Sequence, residues 1–288
     1  MLNKNIEAFI GCDAEYESAD IVLFGAPFDS TTSYRAGARA GSSAMRHESF
    51  AIETYSPYLD ADLCDYDIFD SGDLELCFGD TQSVLSDIEE RTATILRDGK
   101  LPVMLGGEHL VTLGAVRAVF KKYEELEIVH LDAHADLRDD YLGCRLSHAC
   151  VMRRCHELVG DGKIHQFCIR SGDREEFLFA TGHTDMHKFS LDGLSETIEQ
   201  LGSKPVYLTI DLDCLDPAFM AGTGTAEAGG ITTSELIGAI HSLSKLNIVG
   251  ADINELAPSL DPSGNSTTTA CKLLRELLLA IELKRKGE

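Results

Sequence analysis

Short runs rich in apolar and β-branched residues recur along the chain at Ile21 to Gly25, Tyr66 to Phe69, Pro102 to Leu105, Ile128 to Leu131, His165 to Ile169, Met186 to Ser190, Val206 to Ile210 and Ile248 to Ile253. Runs of this length, bounded by turn-forming residues, predict buried strands, and eight of them supply one large sheet. Between them, Thr81 to Arg97, Leu110 to Tyr123, Leu194 to Leu201, Thr233 to Ser244 and Thr267 to Leu283 carry helical periodicity. Thr232-Thr233-Ser234-Glu235 ahead of Leu236 reads as a helix start with an acidic residue in its first turn. Alternating strands and helices make parallel βαβ units the economical topology, with helices covering both sheet faces. No low-complexity linker or repeat interrupts the pattern, so residues 1–288 are read as a single domain, a length that open α/β sheets use for one core.

Composition narrows the classes. Hydrophobic residues at 44% and charged residues at 25% describe a globular protein with a real core. A formal net charge of -23 would be repelled by a nucleic-acid backbone or an anionic membrane, so neither is expected as a partner, whereas a small cation or metal ion suits it. An acidic surface also keeps a cytosolic enzyme soluble, so the charge is permissive only. Nine cysteines, scattered without a CxxC pair, predict inert buried thiols in a reducing compartment, Cys150 and Cys155 among them near the proposed site. The first twenty residues lack the apolar stretch of a signal peptide, and no run reaches membrane-spanning length; a cytoplasmic location is expected.

Ligand sites of open α/β sheets gather beyond the carboxyl ends of the strands. Three of the predicted strands end in residues that bind metals: Gly106-Gly107-Glu108-His109, Asp132-Ala133-His134-Ala135-Asp136 and Asp211-Leu212-Asp213. The alternate spacing of Asp132, His134 and Asp136 would aim all three the same way from an extended segment, and Asp211 and Asp213 repeat the arrangement. Any one of these alone is ordinarily a helix-capping Asp or a satisfied core His. Together they crowd four carboxylates at one sheet edge, which repel one another unless cations neutralise them; two divalent ions balance the charge. Oxygen-rich ligands with two imidazoles suit manganese better than a thiolate-rich structural zinc set. Two cations sharing one water lower its pKa enough to supply hydroxide near neutral pH.

These residues, with GGEHLVTLG (106 to 114), HLDAHADLRDDY (130 to 141), SHACVMRR (147 to 154), LTIDLDCLDPAFMAGTGTAEAGGIT (208 to 232), GADINELAPSLDPSGNSTTTACKLLRELL (250 to 278) and the early FGAPFDSTTSYRAGARAG (24 to 41), resemble the ureohydrolases, the family of arginase and agmatinase. The runs span nearly the whole chain in family order. Ala221 stands where the family often has proline, and Cys214 is commonly another residue; neither change removes a ligand type. The resemblance implies a three-layer α/β/α sandwich with a mostly parallel eight-stranded sheet. It also implies two Mn2+ per chain, one held by His109, Asp132, Asp136 and Asp211 and the other by His134, Asp132, Asp211 and Asp213, with Asp132 and Asp211 bridging.

The resemblance further implies three catalytic roles. Asp136 relays the first proton, and Glu255, in Asp252-Ile253-Asn254-Glu255, pairs with the guanidinium of the substrate through the paired hydrogen bonds that suit a planar cation. His148, in the loop beyond Asp136, moves protons to and from the site; its ordinary pKa of about 6.5 suits that work. Of the remaining histidines, His165, His183, His187 and His241 are expected to serve surface or packing duties.

An arginase holds its substrate's α-carboxylate and α-amine, typically with amide and hydroxyl side chains on the loop after the third strand-end Asp. Here the loop runs Leu137-Arg138-Asp139-Asp140-Tyr141-Leu142-Gly143-Cys144-Arg145-Leu146 without Asn, Ser or Thr, and Asp139 and Asp140 favour an amine over a carboxylate. Agmatine is therefore the expected substrate, giving putrescine and urea, with guanidinobutyrate or arginine as the alternatives within the family. A metal-dependent amide deacetylase would use a single zinc and tandem histidines, against the six ligand types and solitary His148 here; a catalytically silent binding subunit would lack ligands that this chain retains. Family relatives assemble as trimers or hexamers, which implies a homotrimer or homohexamer.

Overall fold

The computed structural model describes residues 7–287. Among these residues ten strands are formed: β1 (Ile21–Gly25), β2 (Tyr55–Ser56), β3 (Ala61–Asp62), β4 (Ile68–Asp73), β5 (Leu101–Leu105), β6 (Glu127–Leu131), β7 (Ile164–Ile169), β8 (Asp185–Lys188), β9 (Pro205–Asp211) and β10 (Asn247–Asn254). The helices are α1 (Gly41–Glu48), α2 (Thr81–Arg97), α3 (Thr112–Lys122), α4 (Val151–Val159), α5 (Arg174–His183), α6 (Leu194–Leu201), α7 (Thr233–Leu243) and α8 (Asn265–Lys286). Eight strands join one sheet in the order β4-β1-β5-β10-β9-β6-β7-β8, and every pairing in it is parallel. The remaining two form a short antiparallel hairpin, β2 with β3.

Strands β5 and β6 are buried along their whole lengths, and β9 everywhere but at Pro205, as a parallel sheet covered on both faces requires. Leu23, Leu105, Leu131 and Ile210 pack on one side with Met45 of α1 and the apolar faces of α6, α7 and α8. Val22, Met104, Ile128 and Tyr207 pack on the other with α2, α3 and α4. Helix α2 starts where Asp80 accepts from the amides of Gln82 and Ser83, and it buries Val84, Leu85, Ile88, Ile95 and Leu96. Gly114 lets α3 approach it closely: a Cβ there would lie 2.8 Å from the Leu85 carbonyl oxygen.

The predicted α2 and α6 coincide with the observed elements, and β1, β5, β6, β7, β9 and β10 shift by at most one residue at an end. Of the run Tyr66 to Phe69 only Ile68 and Phe69 lie in β4, which continues through polar Asp70 to Asp73 because Arg46 neutralises Asp70 and Asp73 from α1. Leu110 and Val111 belong to a 3-10 turn that begins at His109, so α3 starts only at Thr112. Helices α1, α4 and α5 and the hairpin were not expected; α5 contains non-helical Thr181 and Gly182, which destroy the periodicity on which such a prediction relies.

The strand order matters for chemistry. Neighbouring β5, β10, β9 and β6 deliver His109, Glu255, Asp211 and Asp132 at or just beyond their carboxyl ends, so residues far apart in sequence arrive side by side.

Candidate metal centre

Beyond β5 the backbone of Gly107 passes against Phe28, where a Cβ would lie 1.9 Å from the Phe28 carbonyl oxygen. Only glycine fits, and the turn it permits aims His109 at the sheet edge. The His109 amide donates to Glu255 Oε1 at 2.8 Å. Its ring Nε2 lies 2.9 Å from Thr209 Oγ1, whose own hydroxyl donates to Asp252 Oδ1 at 2.5 Å. Thr209 must therefore accept from Nε2–H, so that in the neutral ring Nδ1 is the nitrogen with the free lone pair.

That Nδ1 faces three carboxylate oxygens: Asp132 Oδ2 at 3.0 Å, Asp136 Oδ2 at 3.2 Å and Asp211 Oδ2 at 3.3 Å. It is buried with no hydrogen-bond partner among the described residues. A lone pair set against three acceptors is tolerable only with a cation or proton between them. Burial pulls the His109 pKa down, but the hydrogen-bonding geometry and charge of Asp132, Asp136 and Asp211 push it well above the usual imidazole value.

A second group shares Asp132. His134 Nδ1 lies 2.9 Å from Asp213 Oδ2 and 3.5 Å from Asp132 Oδ1. Asp132, His134 and Asp213 can each offer one ligand atom, all mutually within 4.8 Å, and so can His109, His130, Asp132 and Asp136. Five of the six expected ligand residues fall in these two groups, which meet at Asp132; the sixth, Asp211, belongs to neither group but sets its Oδ2 3.3 Å from His109 Nδ1. The local backbone differs from the extended arrangement expected of it. Asp132 Oδ1 accepts from the His134 amide at 2.5 Å, and Asp136 has a left-handed φ of 53°. Asp211 likewise folds the chain back, accepting from the Asp213 amide at 2.8 Å, and Leu212 to Cys214 form a 3-10 turn. Tight Asx turns, not strand alternation, make these side chains converge.

The carboxylates betray the crowding. Asp132, Asp136, Asp211 and Asp213 are all at most 5% exposed. Burial and the Asp132 charge raise Asp136 to about 7, and burial with the charges of Asp213 and Asp132 lifts Asp211 well above the carboxylate range. Burial opposes ionisation of Asp132 too, yet His130, His109 and His134 hold it well below its usual value. The donor set, the orphaned Nδ1 and the excess of carboxylates together fit divalent cations.

Several supporting residues escaped the sequence reading. His130 Nε2 lies 2.7 Å from Asp132 Oδ2, and its Nδ1 accepts from Gln166 Nε2 at 3.0 Å, so Nε2–H donates to the carboxylate. Asp252 collects Tyr207 Oη, Thr112 Oγ1, Thr209 Oγ1 and Asn254 Nδ2. Arg170 donates to the carbonyl oxygens of Asp213 at 2.7 Å and Glu227 at 2.8 Å, fixing the loop that carries Asp213. A signal was present: stepping two residues back along the strand from Asp132 and Asp211 reaches His130 and Thr209, which share their faces.

A cavity of about 180 Å3 opens over the centre, lined by His134, Asp136, His148, Arg138, Tyr141 and Glu176 among others. The His148 amide donates to Thr31 Oγ1 at 3.0 Å, and Thr31 is held by Glu108. His148 Nε2 is buried without a hydrogen-bond partner among the described residues. Burial and the nearby His134 and His109 lower its pKa to about 4, so in this environment it is neutral. Burial raises Glu108 to about 7. Glu255, 4% exposed with a left-handed φ of 66°, stands behind His109; burial and Glu108 raise its pKa well above the usual range. Such a backbone costs about 1–3 kcal/mol and is tolerated where the surroundings over-determine it.

Two expectations require correction. Asp139 does not face the cavity as a free acid: it pairs with Arg154 at 2.8 Å and Arg145 at 3.6 Å, and Asp140 binds the Gly143 amide. Of the nine cysteines, Cys150 and Cys155 are buried, but Cys64, Cys77 and Cys144 are exposed. No helix of the described residues is long and apolar enough to cross a membrane.

A parallel sheet sandwiched by helices, with buried carboxylates and imidazoles gathered at its carboxyl edge, is the architecture of a metal-dependent enzyme of the α/β class. The model of the arginase family matches residues 19–280, and the chain belongs to that family; it is a ureohydrolase-type enzyme. The agmatinase of Bacillus subtilis (strain 168) is 48% identical over 278 residues, covering 95% of this chain and 96% of that protein. A guanidinobutyrase of Pseudomonas aeruginosa is 33% identical, covering 93% of this chain and 88% of that one. A solved structure from Clostridium difficile superposes with a TM-score of 0.92 at 49% identity, covering 95% of this chain and all of the other.

Proposed function

We propose that the chain, acting as one domain in the cytoplasm, hydrolyses agmatine to putrescine and urea with two manganese ions per chain. The observation that carries this reading is the pair of ligand groups meeting at Asp132, with the bare His109 Nδ1 aimed into one of them. His109, Asp132, Asp136 and Asp211 would hold one ion, and His134, Asp132, Asp211 and Asp213 the other. Bound there, the ions neutralise the carboxylates and acidify a water.

The protein's own groups do the rest. Water adds to the guanidinium carbon, the bond from that carbon to the alkyl nitrogen breaks, and the amine leaves with the proton. Asp136, a member of the first ligand group that also lies on the cavity wall, receives and returns the proton, and His148 passes protons outward. Glu255, with Oε1 held by the His109 amide, would pair with the guanidinium.

The mouth supports an amine tail for a reason other than the acidic loop first considered. Arg138, on the cavity wall with Glu176, pairs with Asp173 at 2.8 Å and with Glu176 at 3.4 Å. Its cation is thus already matched and is not free to hold a substrate carboxylate, which suits an amine tail better than an acidic one. The 48% identity to an agmatinase supports the same choice. A urea-release assay across agmatine, guanidinobutyrate and arginine tests it: agmatine should give the highest kcat/KM, and a preference for either carboxylate-bearing substrate would overturn the assignment.

A further inference from the structure

Outside the catalytic centre, His156 in the last turn of α4, Asp161 in the turn Gly160-Asp161-Gly162 and His183 at the end of α5 converge. His156 Nε2 at 2.7 Å and His183 Nδ1 at 2.6 Å face the same oxygen, Asp161 Oδ1. The three ligand-type atoms lie within 4.8 Å of one another. The Gly160 amide donates to the His156 carbonyl oxygen at 2.8 Å, and the Gly162 amide to that of His183 at 2.9 Å. The turn is thereby pinned to the backbones of both histidines. Its glycines have φ of 85° and 70°, the left-handed region that glycine enters without strain.

The rings are oriented as well. His183 stacks on Phe179 with centroids 4.3 Å apart and planes at 14°, and His156 meets the same ring edge-on at 5.0 Å. Arg153 lies over Phe179 at 3.5 Å. Both imidazoles therefore turn their nitrogens to one point, with the exposed Asp161 carboxylate leaving it open to solvent.

We propose that His156, Asp161 and His183 form a surface site for a borderline divalent cation, zinc by preference, separate from the catalytic centre. Two imidazole nitrogens with one carboxylate oxygen select the zinc, copper and nickel class rather than the hard, oxygen-preferring manganese or magnesium. Tetrahedral zinc places such ligand atoms roughly 3.3 Å apart. The Asp161 oxygen must then withdraw from each ring by about 0.6 Å, a movement open to an exposed side chain. Each imidazole carries its proton on the other ring nitrogen, and water completes the shell. The cation ties the ends of α4 and α5 together. Helix α4 follows His148 directly, and α5 begins at the Asp173–Glu176 capping box, whose Glu176 also holds the Leu137 amide. The site would thus brace the frame of the outer loop.

The test adds zinc to manganese-loaded protein, removes excess by gel filtration, and counts both metals per chain in the wild type, a His156→Ala/His183→Ala double variant and His183→Gln. Glutamine keeps an N–H donor for Asp161 but is no zinc ligand, so it separates a cation site from a hydrogen-bonded clasp. Zinc that displaces manganese at the catalytic centre does so in all three proteins, and the difference between them isolates the surface site. The wild type should retain about one equivalent more zinc than either variant and show a zinc-dependent rise in Tm that both variants lose. Equal zinc retention in all three folded proteins would overturn the proposal while leaving the catalytic centre untouched.

Discussion

Thr209→Val probes how the chain prepares His109. The Thr209 oxygen accepts from His109 Nε2 at 2.9 Å and its hydroxyl donates to Asp252 at 2.5 Å; the side chain is fully buried. Valine keeps the volume, so a cavity contributes little and the loss falls on hydrogen bonds. One buried imidazole N–H is left unpaired, costing about 1–3 kcal/mol, and Asp252 loses one of its donors, costing about 1.5–3 kcal/mol. A destabilisation of roughly 3–5 kcal/mol is expected for the metal-free protein. The same change removes what fixes a proton on Nε2 and aims Nδ1 at the centre, so manganese affinity should fall about 10–100-fold. Denaturant unfolding and chelator competition measure the two effects separately. Thr209→Ser should recover both. Unchanged metal affinity in Thr209→Val would refute the assigned tautomer and with it the reading of His109 as a prepared ligand.

Other expectations follow from the same geometry. Arg170→Ala leaves the Asp213 and Glu227 carbonyl oxygens without their cation and should cost about 2–4 kcal/mol while weakening metal retention, with Arg170→Lys recovering only part, as read by thermal unfolding and metal analysis. Gly107→Ala forces a Cβ to within 1.9 Å of backbone that cannot yield, and its soluble yield should collapse in expression trials. Burial alone would raise Glu127, but His165, Lys204 and Lys163 hold it at about 2 instead of 4.5. Because the folded state holds that carboxyl below its unfolded value, the stabilisation is present above about pH 4.5 and is lost as pH falls toward 2. Glu127→Gln should flatten that acid limb in unfolding midpoints taken across this range, and an unaltered limb would contradict the assignment.

Much of this was legible in the sequence because parallel strands buried on both faces announce themselves as short apolar runs, and because Asp132 and Asp211 follow two of those runs directly and His109 follows a third after Gly106-Gly107-Glu108. Less visible was whatever depends on the turn after the strand. The Asx turns at Asp132 and Asp211 and the left-handed Asp136 and Glu255 replace the simple alternation first inferred, although the same side chains converge. Helix α5 was hidden because its kink breaks the apolar period, and α1 because its opening residues are Gly and Ser. The outer rim could not be read at all from local sequence. Asp139 reads as an acid awaiting an amine until Arg154, fifteen positions later, is seen beside it. Long-range neutralisation of that kind leaves no periodic trace.

The central claim is that two metal ions sit on either side of Asp132, one against His109 and one against His134. Anomalous diffraction at the manganese edge from crystals of the loaded protein tests it directly. The account predicts two peaks per chain, both within coordination distance of the Asp132 carboxylate. A single peak, or a peak remote from Asp132, would contradict it.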